Sequence, residues 1–120
     1  MEPELFDPPE FSVSTASLNG HAVIQVSGEL DMTTAPQLEE ALVAHNGNRP
    51  VVVDLTALTF IDSHGLHVLL QKRPTGPPAA LIVTPNSNIA KVFDIVAASK
   101  IVLLCSDLDA AIQRDGRPET

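Results

Sequence analysis

The sequence contains no tryptophan and no tyrosine, a single cysteine, and seven lysines and arginines against fifteen aspartates and glutamates. Each shortage excludes something. A lone thiol, Cys105, forms no internal disulfide and no cysteine metal cluster; in the run Ile101-Val-Leu-Leu-Cys105 it reads as a small buried residue. With few cations and a net charge of −8, nucleic acid and anionic membrane are poor partners, because a polyanion must be neutralised by Lys and Arg. A basic protein surface suits the chain better. No apolar run approaches the roughly 20 residues a membrane-spanning helix needs. The acidic stretch Met1 to Pro9 lacks the charged and apolar regions of a secretory signal, so a cytoplasmic location is expected. No Gly-rich phosphate loop is present, which removes ATP hydrolysis as a function, and no cofactor motif is met.

What is present suffices for one domain. At 120 residues with a 44% hydrophobic share, the chain can bury one core and is too short for two. Residues 1–9 are expected to form a flexible arm, residues 10–113 the domain, and residues 114–120 a frayed tail. Phe11 to Ala16 alternates apolar and polar residues, Asn19-Gly20 suits a tight turn, and His21 to Ser27 makes the return strand, so a hairpin opens the domain. Gly28-Glu-Leu-Asp31 then leads into a helix ending near His45. Thr34 and Gln37 have capping-box spacing, Pro36 lies in the first turn, Leu38, Ala41, Leu42 and His45 face inward, and Asn46-Gly-Asn48 stops it.

Val51-Val-Val-Asp-Leu55 has the unbroken β-branched character of a central strand covered on both faces. A turn is expected through Ala57 to Ile61, and a helix with Leu66, Leu69 and Leu70 inside, ended by Pro74 and Gly76-Pro77-Pro78. Ala80 to Val83 is a further strand. Asn86-Ser87-Asn88 offers caps for a helix carrying Ile89, Val92, Phe93 and Val96 at i, i+3, i+4 and i+7. Ile101 to Cys105 is the last strand, and Ser106 with Asp109 forms a second capping box for a helix with Leu108, Ala111 and Ile112 inside. The order β-β-α-β-α-β-α-β-α predicts an α/β fold: a mixed sheet led by a hairpin, with about four helices mainly on one face.

The segment from Val51 to Leu70 carries the chemistry. A buried strand feeds a turn, Asp62-Ser63-His64-Gly65, where a helix begins. Asp62 or Ser63 can cap its free amides, and Gly65 lets backbone pass closely. Open α/β sheets present their sites at the carboxyl ends of strands, where this hydroxyl stands. Contiguous Asp62, Ser63 and His64 cannot serve as a triad, which needs its hydrogen bonds in series, and no Gly-x-Ser-x-Gly elbow accompanies them. His64 and His67, with Asp62, are three possible metal ligands, but no zinc motif is met and solvated histidines are the simpler reading. Asp54 reads as a strand-end residue bonding loop amides. Glu29, Asp31 and Asp62 read as an acidic, partner-facing rim rather than as a metal or acid/base site.

The same segment resembles the signature of STAS domains in bacterial anti-sigma-factor antagonists: an aliphatic strand, Asp-Leu, an apolar pair, then Asp-Ser-x-Gly-Leu. Gly28-Glu-Leu-Asp31 before a Thr/Ala helix and the helix from Ile89 to Val96 extend the likeness over roughly Phe11 to Gln113. This resemblance implies a STAS fold and a binding switch rather than an enzyme. An anti-sigma factor that is also a serine kinase would be the partner, its capture freeing a sigma factor. Ser63 would be the phosphoacceptor, with Asp31, Asp62, Ser63, His64 and Gly65 forming the partner surface, and a PP2C-type, metal-dependent phosphatase would reverse the modification. The chain departs from the pattern at His64, often a hydroxyl residue, and at His67, often glycine. Rival roles are a STAS subunit of a stressosome-like or lipid-transport assembly and a small serine hydrolase.

Overall fold

The computed structural model describes residues 10–45, 49–71 and 78–114. Among these residues five strands and four α-helices follow one another as β1 (Ser12–Leu18), β2 (His21–Leu30), α1 (Ala35–Ala44), β3 (Val51–Ile61), α2 (Ser63–Leu70), β4 (Ala80–Ile82), α3 (Asn88–Ile95), β5 (Leu103–Cys105) and α4 (Leu108–Arg114). The strands form one sheet in the order β1-β2-β3-β4-β5. β1 is antiparallel to β2 across a turn in which Asn19 and Gly20 both take positive φ, 50° and 80°. The other three pairs are parallel. The expected mixed sheet led by a hairpin is therefore what forms.

Topology decides where the helices go. Each crossover from β2 to β5 steps to the next strand in the same direction, and right-handed crossovers then place α1, α2 and α3 on one face. Beneath them lies the main core, built on Ile24, Val26, Leu30, Val53, Leu55 and Leu81, with Leu38, Leu69 and Phe93 contributed by the helices. Strand alternation turns Val52, Ala80, Ile82 and Cys105 to the other face, where α4 covers them through Ala111. Cys105 is buried there, as its sequence context implied.

Several local expectations give way to tertiary packing. No turn interrupts the strand after Leu55; β3 continues to Ile61 because β2, extended to Leu30, keeps pairing with it. Two register shifts accommodate one extra β3 residue each, and at the first of them Asp54 Oδ1 accepts hydrogen bonds from the Thr56 N–H (2.9 Å) and hydroxyl (2.7 Å). Asp54 thus serves a bulge within the strand, not a strand end. Thr34 stands at the N-cap of α1 without capping it by its side chain, since its hydroxyl is drawn to the Glu29 carbonyl at 2.8 Å. Ser106 does not cap α4; Asp107 does, accepting from the Ala110 N–H at 2.8 Å.

The last strand starts at Leu103 rather than Ile101, because a 3₁₀ turn over Ala98–Lys100 leaves Ile101 half exposed. Val96, expected inside, is the exposed C-cap of α3. β4 ends at Ile82 rather than Val83, and α4 runs on to Arg114. The proposed arm, the Asn46-Gly-Asn48 stop, and Pro74, Gly76 and Pro77 fall outside the described residues, as does the tail beyond Arg114.

Candidate functional site at the carboxyl end of β2 and β3

β2 and β3 finish side by side, with Leu30 opposite Ile61 and the Asp62 N–H donating to the Leu30 carbonyl at 3.1 Å. This bond places Asp31 and Asp62, 31 residues apart in sequence, at one end of the sheet. Asp31 closes its own turn: Oδ1 accepts from the Thr33 and Thr34 N–H groups at 3.0 and 3.1 Å. Its N–H donates to Thr34 Oγ1 at 2.9 Å. A carboxylate held by two amides has a fixed direction, so the half-buried Asp31 is a rigid feature of the rim.

Asp62 is the N-cap of α2. Its backbone is extended (φ −112°, ψ −173°) and Oδ1 accepts from the Gly65 N–H at 3.0 Å. Oδ2 lies 3.9 Å from Nδ1 of His64, whose side chain is 57% exposed. Ser63 follows as the first helical residue. It is exposed, and among the described residues its hydroxyl has no hydrogen-bond partner. Capping thus belongs to Asp62, and Ser63 is left projecting from the start of the helix. Free amides and the positive end of the helix dipole tolerate negative charge at that place.

Gly65, expected at the partner surface, is buried within the first turn of α2. A β-carbon there would stand 2.7 Å from Leu30 Cγ and 2.9 Å from Ile61 Cγ1, so glycine is required by close packing of α2 on the strand ends. Asp31, Asp62, Ser63 and His64 share one end of the sheet; His67 is exposed one turn further along α2. Among the described residues no group of three or more His, Cys, Asp or Glu side chains could hold a metal ion. No described helix is long and apolar enough to cross a membrane.

Sequence reasoning missed two exposed apolar side chains beside the acidic pair, Met32 at 64% exposure and Phe60 at 48%. Alternation offered a signal for Phe60, since a residue next to inward-facing Ile61 must face out. Gly28 takes a φ of +94°, and a β-carbon there would stand 2.8 Å from the Phe11 Cα, so both backbone and packing favour glycine.

The family model of the STAS domain matches residues 12–111, most of the described chain. The chain belongs to the STAS-domain family. One relative, the anti-sigma-F factor antagonist RsfB of Mycobacterium tuberculosis (strain CDC 1551 / Oshkosh), is 41% identical over 64 residues, 52% of this chain and 52% of RsfB. The match therefore spans about half the length of that relative. The anti-sigma-B factor antagonist of Staphylococcus aureus (strain NCTC 8325 / PS 47) is 26% identical over 96 residues, 76% of this chain and 89% of the relative. Among solved structures, an anti-sigma factor antagonist from Mycobacterium paratuberculosis superposes with a TM-score of 0.78 at 25% identity, covering 90% of this chain and 96% of that one. The STAS architecture thus extends beyond the signature to nearly the whole described chain.

Proposed function

We propose that this STAS protein is an anti-sigma-factor antagonist, a binding switch rather than a catalyst. Its unphosphorylated form captures an anti-sigma factor in the cytoplasm and frees a sigma factor. The anti-sigma factor, itself a serine kinase, turns the switch off. The γ-phosphoryl group of ATP passes to Ser63 Oγ: a P–O bond forms there, the bond to the ADP leaving group breaks, and the serine proton leaves to the kinase or solvent. A PP2C-type phosphatase, with water as co-substrate, removes the phosphate and restores binding.

One observation carries this reading: Ser63 is exposed at the first position of α2 while its neighbour Asp62 does the capping. Phosphate at Ser63 adds about 1.5 to 2 negative charges at neutral pH. The helix start tolerates that charge, so the antagonist stays folded. Under a bound partner the phosphate must instead shed its water and crowd the Asp31 and Asp62 carboxylates, and that desolvation and like-charge crowding weaken the complex. A loss of about 1.4 kcal/mol lowers affinity tenfold, and a few such increments release the complex. The names borne by the relatives support the same partner class.

Incubation with a candidate anti-sigma kinase and ATP tests the proposal. The wild-type chain should gain one phosphate by mass spectrometry, Ser63→Ala should gain none, and the phosphorylated form should lose the partner. Phosphate on another residue, or retention of the partner after modification of Ser63, would overturn it.

A further inference from the structure

Among the described residues seven large apolar side chains are exposed: Leu18, Met32, Val43, Phe60, Ile95, Val96 and Ile101. Topology sorts them into two groups. Leu18 ends the antiparallel strand β1, Val43 lies near the end of α1, Ile95 and Val96 end α3, and Ile101 precedes β5. Those five stand at the amino end of the parallel strands. Of these seven described side chains, Met32 and Phe60 stand at the carboxyl end, with Ser63. Phe60 pairs with Glu29 across β2 and β3, one residue before Leu30 meets Ile61, and Met32 follows Asp31 in the adjoining turn.

Neither exposure follows from the fold's own needs. Met32 sits in a turn held by the Asp31 carboxylate and the Thr34 hydroxyl, neither of which uses the thioether. Phe60 occupies an outward position of β3 where a polar residue fits equally well. Leaving these two side chains largely in water, at 64% and 48% exposure, forgoes the stabilisation their burial gives. Each binding partner in a stable complex covers about 800 Å², some 20 to 30 residues. Phe60 precedes Ser63 by three residues, and the bond from the Asp62 N–H to the Leu30 carbonyl brings Asp31 and Met32 to the same end of the sheet, so chain connectivity alone keeps these residues within the span of one such footprint.

We propose that Met32 and Phe60 are the apolar centre of the partner-docking surface, and that it fits a protein presenting an apolar pocket rimmed by lysine or arginine. The inference rests on the antagonist reading and names the chemistry of its partner. Aromatic and methionine side chains are enriched at the dehydrated centre of interfaces, where a few residues carry most of the affinity. Carboxylates at the rim steer encounter with a cationic partner. Charge added at Ser63 then acts at the border between the two zones, where water is being expelled.

Binding of a purified candidate anti-sigma factor, measured by calorimetry or surface plasmon resonance, tests this. Phe60→Ala and Met32→Ala should each weaken binding about tenfold or more, while Ile95→Ala, at the opposite end, should leave it unchanged. Thermal unfolding of each variant separates lost contact from lost fold; for Phe60, Phe60→Ser is a second probe. Glu29→Lys should slow association, and added salt should slow association of the wild type. Wild-type affinity in both folded alanine variants, or a loss in Ile95→Ala alone, would overturn the proposal. Faster association of Glu29→Lys would overturn the basic rim. The antagonist reading fails separately, if the wild-type chain neither binds the kinase nor accepts phosphate at Ser63.

Discussion

Asp62 and Ser63 are adjacent in the chain and differ in what the fold asks of them. The Asp62 carboxylate accepts from the Gly65 N–H at 3.0 Å, whereas the Ser63 hydroxyl has no partner among the described residues. Asp62→Ala should therefore cost about 1 kcal/mol of stability, the usual loss for a removed N-cap. Ser63→Ala should change stability by less than about 0.5 kcal/mol, as surface substitutions free of such contacts do. Urea unfolding of the two variants checks the order; the reverse order would make Ser63 the cap. The sequence could offer Asp62 or Ser63 for that role but not choose, because both side chains cap equally well in isolation. The backbone decided, by giving Asp62 the extended conformation and Ser63 the first helical one.

At the scale of elements, α2 owes its position to Gly65, which lets the helix approach Leu30 and Ile61. Gly65→Ala should destabilise the domain by about 1–3 kcal/mol, the common cost of overpacking a core, and lower its melting midpoint accordingly. Both contacting side chains are buried and the nearest atoms sit at or near their branch points, so they have little room to yield. Legibility followed the range of the deciding interactions. The Asn19-Gly20 turn, the Ser87 cap of α3 and the alternation of strands with helices are local, and were readable. The uninterrupted length of β3 was not, because its second half is held by β2, which is distant in sequence. Thr34 and Ser106 carried capping spacing, yet Glu29 and Asp107 redirected those roles. A capping pattern states what a side chain can do; neighbours choose among the options.

For the molecule as a whole, the proposed switch requires that affinity and stability be separable. Ser63→Asp puts a negative charge at a helix start and removes no contact seen among the described residues. Partner affinity should fall about tenfold or more, while the thermal midpoint moves by less than about 4 °C. Calorimetric binding and thermal melts of one preparation test both halves. A variant that melted early and bound poorly would show the charge acting through the fold. The parallel part of the sheet gives the separation its physical basis: the core lies beneath α1, α2 and α3, and the site lies at the ends of β2 and β3. Because anchoring duty rests with Asp62, the neighbouring position is structurally idle. Idle positions can be rewritten cheaply: a cysteine for attaching a probe, a glutamate for a permanently disengaged form, or another side chain suited to a different enzyme can be installed at residue 63 without rebuilding the architecture around it.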